Sequence, residues 1–96
     1  MNRNDLVQLL SEKVKLKPRD ARRILDLIFG TDDGTGLIAE ALDRGDRVSI
    51  AGFGTFAVRE RRERLLKDPR TGEARRVSAR RAPVFRPGVG LRDRLR

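Results

Sequence analysis

A long polar stretch in the second half of the chain limits the folds that are open to it. Between Arg59 and Arg81 the only apolar residues are Leu65, Leu66, Ala74, Val77 and Ala79. A segment with so few apolar side chains cannot form a buried core of its own. At its centre Pro69 is followed closely by Gly72, which is typical of a turn between two strands. We therefore predict a long two-stranded hairpin over residues 60–80, called the arm below, with disorder of the free protein as the alternative.

The segments on either side of the arm alternate between apolar and polar residues, which predicts strands. Residues 48–50 form the first strand, a Gly-Phe-Gly turn follows at residues 52–54, and residues 56–58 continue in a second strand. Residues 82–85 return as a third strand. A short basic helix is expected from Pro87 onward, because proline suits the start of a helix.

The first half of the chain has helical periodicity instead. Apolar residues recur at three- and four-residue spacing over residues 3–14, with Asn2 or Asn4 as the N-cap. Pro18 suits the first position of a second helix, since its missing N–H would be unpaired there. Residues 30–36 contain three glycines and two aspartates, which predicts a loop before a shorter third helix.

The composition excludes most catalytic and metal chemistry. The 96 residues include no Cys and no His, so thiolate nucleophiles, thiolate zinc sites and imidazole bases are absent. The aspartates of residues 30–36 lack the ligand spacing of a calcium-binding loop. The longest uncharged run is too short to cross a bilayer, and the charged N-terminus is unlike a signal peptide. We expect no enzyme activity, no metal, no cofactor and no membrane association.

The excess positive charge lies wholly in the second half of the chain. Residues 1–51 hold nine basic and nine acidic side chains, whereas residues 52–96 hold 14 basic and five acidic ones, a net +9. Nearly all of these basic residues are arginines, whose planar guanidinium group donates two parallel hydrogen bonds to a phosphate. A surface evolved only for solubility would mix the two signs of charge more evenly. The asymmetry therefore favours an acidic, phosphate-bearing partner.

The apolar residues outside the arm are too few for a stable independent core. About 75 residues remain there, a size at which one core rarely contributes more than roughly 3–5 kcal/mol. No disulfide is available to add stability. Association with a second chain is the remaining way to bury apolar surface, and a two-fold dimer is the commonest form. A marginally stable monomer is the alternative.

Several motifs follow one another in an order and spacing that is specific when taken together. They are Gly52-Phe53-Gly54-Thr55-Phe56, Val58-Arg59-Glu60-Arg61, Pro69-Arg70-Thr71-Gly72-Glu73 and Pro83-Val84-Phe85-Arg86-Pro87-Gly88, preceded by Met1-Asn2 and a helix that ends in Ser11-Glu12-Lys13. With these motifs the chain resembles the bacterial HU/IHF family of histone-like DNA-binding proteins over nearly its whole length.

The resemblance implies an α+β fold in an intertwined homodimer, or in a heterodimer with a paralogue. Residues 1–45 would form the helical dimerisation part, residues 46–86 a three-stranded β-saddle that carries the arm, and residues 87–96 a C-terminal helix. The implied partner is double-stranded DNA in the nucleoid of the bacterial cytoplasm, with no small-molecule substrate. The position that matches the family's intercalating proline is Pro69, which would bend the duplex from the minor groove.

The resemblance also assigns residues to the DNA interface and to the dimer core. The expected DNA contacts are the cations of the arm, the intercalating proline and the flanking arginines: Arg3, Arg59, Arg61, Arg64, Lys67, Pro69, Arg70, Arg75, Arg76, Arg80, Arg81 and Arg86. The expected dimer core contains the four phenylalanines, Phe29, Phe53, Phe56 and Phe85. Phosphate contacts carry no base information, so the implied binding is tolerant of sequence and depends steeply on salt.

Three features depart from the family pattern. Residues 30–36 look like about six extra residues within the family's second helix, Asp68 stands where asparagine or lysine is usual, and Leu66 replaces a frequent glycine. The carboxylate of Asp68 would repel phosphates and favours a second hypothesis, a protein of the same fold that coats or bridges DNA without kinking it. A third hypothesis is an RNA-binding or ribosome-associated protein, although the chain has no Trp or Tyr to stack on bases.

Overall fold

The computed structural model describes residues 1–96, which form two compact units, Met1–Arg44 and Gly45–Arg96. The first unit contains three helices, α1 (Arg3–Val14), α2 (Pro18–Phe29) and α3 (Leu37–Asp43). The second contains five strands and a helix: β1 (Val48–Ile50), β2 (Gly54–Arg61), β3 (Arg64–Lys67), β4 (Ala74–Val77), β5 (Arg80–Pro87) and α4 (Val89–Arg94). The helices followed by antiparallel strands confirm the predicted α+β class.

The first two helices begin where the sequence predicts. Asn2 is the N-cap of α1: its side-chain oxygen accepts the Asp5 N–H at 3.0 Å, and the Asp5 carboxylate accepts the Asn2 N–H at 2.9 Å. Such a reciprocal capping box satisfies two N–H groups that no helix carbonyl can reach. Helix α1 gives way to Lys15 in the left-handed conformation, with φ 57°. Pro18 occupies the first turn of α2, where no N–H is needed.

The glycine-rich stretch between α2 and α3 is a loop, as predicted. Thr35 donates its N–H and its hydroxyl to the Asp32 carbonyl at 3.0 and 2.8 Å. Gly36 has φ 82°, and a side chain at this position would collide with the Gly30 carbonyl oxygen. The loop therefore needs glycine on two grounds, backbone conformation and space, and it separates α2 from α3 as distinct helices.

Strands β1, β2 and β5 form an antiparallel sheet in which β2 is central. Residues paired across antiparallel strands project from the same face, so Phe56 shares a face with Val48 and Phe85. The Phe85 ring centroid lies 4.8 Å from that of Phe56 and 5.7 Å from that of Phe53. A side chain at Gly54 would come within 2.6 Å of the Phe85 ring, so glycine is required beside this aromatic cluster.

The C-terminal helix begins later than the sequence predicts. Pro87 was expected to start it, but Pro87 is the last residue of β5 and pairs with Gly54. A strand terminus tolerates a residue that cannot donate an N–H, which explains why proline fits there. Helix α4 starts after Gly88, whose N–H donates to the Phe53 carbonyl at 2.8 Å. The third strand is also longer than the predicted residues 82–85, because β5 spans Arg80–Pro87.

The arm is a hairpin, but its pairing is divided into two sections. Near the sheet, β2 pairs with β5 as far as Arg61 and Arg80. Farther along, β3 pairs with β4 in a separate two-stranded sheet, from Arg64 opposite Val77 to Lys67 opposite Ala74. Residues 62–63 and 78–79 interrupt the ladder between the two sections.

The chain by itself buries very little apolar surface. Among hydrophobic residues only Val7 and Ala21 are buried. Three phenylalanines of the predicted dimer core are partly exposed in the single chain: Phe29 by 53%, Phe53 by 48% and Phe85 by 42%. The accessible surface is 8,522 Å², against roughly 5,600 Å² for a compact monomer of this mass. The phenylalanines therefore do not form a core within one chain. None of the four helices has the length and apolar character needed to cross a membrane.

Candidate nucleic-acid interface

The three-stranded sheet has one face that carries four of the predicted DNA contacts. Thr55 pairs with Arg86, and Arg61 pairs with Arg80, so Arg80 and Arg86 share a face with Arg61. Arg59 lies two residues before Arg61 and therefore projects from that face as well. The aromatic cluster belongs to the opposite face. We call the arginine-bearing side the polar face.

The polar face includes an arginine that the sequence-based prediction missed. Arg47 and Arg86 line a shallow hollow of about 150 Å³ together with Thr55, Ala57 and Val84. The signal was present in the alternation of β1: Ser49 is on this face, with its hydroxyl 3.1 Å from that of Thr55, and Arg47 lies two residues earlier. If the two-residue alternation of β1 is extended one residue before Val48, Arg47 lies on the same face as Ser49 and belongs to the site.

Arg81, the remaining predicted contact of β5, projects from the other face of the sheet. It pairs with Glu60 across the ladder, and both project from the face opposite Arg61 and Arg80. This placement follows from the two-residue period of a strand, since neighbours in sequence point to opposite faces. Arg62, which was not predicted, lines a hollow of about 260 Å³ together with Arg61, Arg80 and Arg81 where the ladder is interrupted.

The outer section of the arm carries cations on both of its faces. The register places Arg64 and Arg75 on one face, with Lys67 and Arg76 on the other. Nε of Arg76 lies 2.8 Å from the Glu63 carboxylate, so this arginine is held by an ion pair within the arm. The leucines are exposed between these cations, Leu65 by 69% and Leu66 by 45%. Each cation of these two strands is thus paired directly with an apolar residue, and each face holds one cation from either strand.

Residues 68–73, called the tip loop, close the arm. The Asp68 N–H donates to the Glu73 carbonyl at 2.8 Å, and the Gly72 N–H donates to the Asp68 carbonyl at 2.7 Å. Gly72 has φ 76°, a conformation that favours glycine. Within this closed loop Pro69 and Arg70 are exposed. The loop therefore presents a rigid apolar ring with no N–H to desolvate.

Arg3, the predicted contact on the helical unit, is engaged within the chain. Its guanidinium lies 3.3 Å from a carboxylate oxygen of Asp26, at ion-pair distance but without hydrogen-bond geometry. The Arg3 side chain is still 57% exposed. Such a pair contributes at most about 1 kcal/mol, so a phosphate could compete for Arg3.

Comparison with known proteins decides what kind of site this is. The profile of the family described as "Bacterial DNA-binding protein" matches residues 1–96, the whole chain. The chain belongs to the bacterial DNA-binding protein family of HU and IHF. It is 38% identical over 96 residues to DNA-binding protein HU of Geobacillus stearothermophilus, with full coverage of both chains. It is also 38% identical over 95 residues to integration host factor subunit alpha of an Anaeromyxobacter species, covering 90% of that protein.

Solved structures of HU proteins have the same fold. The structure of Anabaena HU crystallised with DNA matches with a TM-score of 0.80 and 34% identity, covering 99% of this chain and 97% of that one. HU from Thermotoga maritima matches with a TM-score of 0.65 and 28% identity over the full length of both chains. The predicted family is therefore confirmed. This HU/IHF protein is an architectural DNA-binding protein of a family that acts as dimers.

Proposed function

We propose that this HU/IHF protein bends duplex DNA by inserting Pro69 between base pairs from the minor groove. The observation that carries the proposal is the tip loop, in which two backbone hydrogen bonds close the chain around an exposed Pro69. A closed loop loses little conformational entropy on insertion, and a proline ring needs no hydrogen-bond partner. Unstacking a base step requires a few kcal/mol, which extra contacts along the bent duplex offset.

The cations of the arm and of the polar face are the proposed phosphate contacts. Arg64 and Lys67 on β3, together with Arg75 and Arg76 on β4, place cations on both faces of the outer arm. The polar-face arginines, including Arg47, would extend the contact toward the sheet. Each neutralised phosphate releases counterions, so affinity should fall steeply as salt rises. These contacts position the protein and leave the base sequence largely unread.

The exposed apolar residues support a dimer that presents two arms to one duplex. Phe29 in the helical unit, and Phe53 and Phe85 in the sheet unit, each leave about half of their surface exposed in the single chain. We place these residues in the interface with a second chain, and the helices of residues 1–45 in the dimerisation part. A protein with these properties belongs on the bacterial chromosome, and a fluorescent fusion that spreads evenly through the cell instead would contradict that location.

The test is fluorescence energy transfer between dyes at the two ends of a roughly 30 bp duplex, a length that is stiff enough to make spontaneous bending costly. Binding of the protein should bring the ends together, and Pro69→Ala should reduce the approach of the ends while anisotropy still reports binding. Pro83→Ala removes an exposed proline from β5 and serves as the matched control. Full bending by Pro69→Ala would show that the proline is not the wedge.

A protein that coats or bridges DNA without kinking it is the second candidate. The half-buried Asp68 favours it, because a carboxylate beside Pro69 repels the phosphates that insertion brings close. In that case anisotropy would report binding with a normal salt dependence, while energy transfer between the DNA ends stayed at its free value.

A further inference from the structure

The tip loop contains one acidic side chain whose position is fixed by the loop itself. The N–H of Arg70 donates to the Asp68 carboxylate Oδ1 at 2.8 Å, so the side chain spans Pro69 in an Asx turn. Asp68 takes part in none of the chain's ion pairs, and its second oxygen, Oδ2, has no hydrogen-bond partner. The turn therefore holds a free acceptor immediately beside the proposed wedge.

An acceptor at this position distinguishes between base pairs in the minor groove. There A·T and T·A pairs present only acceptors, the adenine N3 and the thymine O2, whereas a G·C pair adds one donor, the guanine 2-amino group. A carboxylate can only accept a hydrogen bond, so it can bind the 2-amino group but is repelled by the acceptors of A·T. The narrow groove of A-tracts has an enhanced negative potential, which adds to that repulsion.

We propose that Asp68 makes the arm selective for a guanine 2-amino group at the base pair next to the inserted proline. The proposal rests on the proposed entry of the arm into the minor groove, and it assigns that arm a preferred DNA target. An asparagine would form the same Asx turn through its amide oxygen but would present an amide donor outward. Asp68 thus converts an A·T-compatible tip into one that favours G·C.

Deformability alone predicts the opposite order of affinities. G·C pairs have three hydrogen bonds and are harder to open than A·T pairs. If DNA deformability alone governed the insertion of Pro69, the protein would bind A·T-rich or inosine-containing steps more tightly. A preference for G·C at the kink would therefore come from contact with the base and not from ease of unstacking.

The experiment uses the full-length protein and four roughly 30 bp duplexes, each nicked at one position to fix the bend. The pair beside the nick is G·C, inosine·C, A·T or 2,6-diaminopurine·T, so that the 2-amino group is present in the first and last and absent in the other two. Anisotropy gives the affinity, and end-to-end energy transfer gives the bend. We expect the wild type to bind the G·C duplex about five-fold more tightly than the inosine·C duplex, and the 2,6-diaminopurine·T duplex about five-fold more tightly than the A·T duplex, as for one hydrogen bond of ordinary net strength.

Asp68→Asn should remove or reverse this preference while it retains the loop. Glu73→Gln is the matched control, because it removes one negative charge from the same exposed loop without touching the Asx turn. That variant should bind all four duplexes more tightly and keep the five-fold preference.

The outcomes separate this inference from the proposed bending. Equal affinity of the wild type for all four duplexes, or an unchanged preference in Asp68→Asn, would overturn the role of Asp68 and leave the wedge intact. A preference that depends on Asp68, in complexes that show no change in energy transfer, would support the readout and refute insertion of Pro69.

Discussion

The two sections of the hairpin have the same antiparallel pairing but different sources of order. Where β2 pairs with β5, the Phe56 and Phe85 rings pack 4.8 Å apart and Gly54 is buried beneath them. Where β3 pairs with β4, Val77 is half-buried and every other residue of the two strands is exposed. An isolated two-stranded hairpin is only marginally stable in water. Side-chain packing therefore stabilises the first section, while the second section lacks such packing and is held mainly by its backbone pairing.

The largest effect that tests this difference is on stability. We expect Phe85→Ala to lower the free energy of unfolding by about 3 kcal/mol, because the ring contacts with Phe53 and Phe56 are lost. Leu65→Ala, in the exposed outer section, should change it by less than about 0.5 kcal/mol. Urea denaturation followed by circular dichroism under identical conditions measures both. Similar losses in the two variants would contradict the comparison.

The next effect concerns DNA binding and tests the assignment of faces. Arg61 lies on the polar face, whereas Arg81 projects from the other face opposite Glu60. Arg61→Gln should lower the slope of log affinity against log salt by about 1, as for the loss of one phosphate contact. Arg81→Gln should change that slope far less. Equal slopes from fluorescence titrations of the two variants would mean that both faces contact the DNA.

The smallest effect shows whether binding extends from the hairpin to the helical unit. Asp26→Asn should release Arg3 from its ion pair and raise affinity for a long duplex about two-fold, since exposed pairs contribute less than about 1 kcal/mol. Asp20→Asn removes the same charge from an exposed position of the same helix and is the control. An equal gain in the control variant would indicate general electrostatics and no particular role for Arg3.

Most of the helices and strands could be predicted because each carries a local signal. The N-cap at Asn2, the helix start at Pro18, the loop of residues 30–36 and the turns around Gly52 and Gly72 all depend on residues close in sequence. The predicted start of the last helix was wrong because proline suits both the end of a strand and the start of a helix. Only the pairing of Pro87 with Gly54 decides between the two.

The cluster of cations was less predictable than the fold. Composition identifies arginines but not the face on which each one lies, because that depends on the register of the paired strands. The sequence therefore does not show that Arg81 projects from the face opposite Arg61 and Arg80, and Arg47 was overlooked although strand alternation extends to it. The placement of the phenylalanines in a dimer core stays a prediction, since one chain supplies only part of their surroundings.

The single chain leaves 8,522 Å² of its surface accessible, so its folding depends on association with a second chain. The amount of folded protein therefore depends on how abundant the chain is. When folding and association form one equilibrium, mass action makes the folded fraction depend on how many chains the cell contains. In the dilute limit the number of complete DNA-binding units varies with the square of the number of chains. A modest fall in synthesis would then remove disproportionately many units from the chromosome, and a modest rise would add disproportionately many.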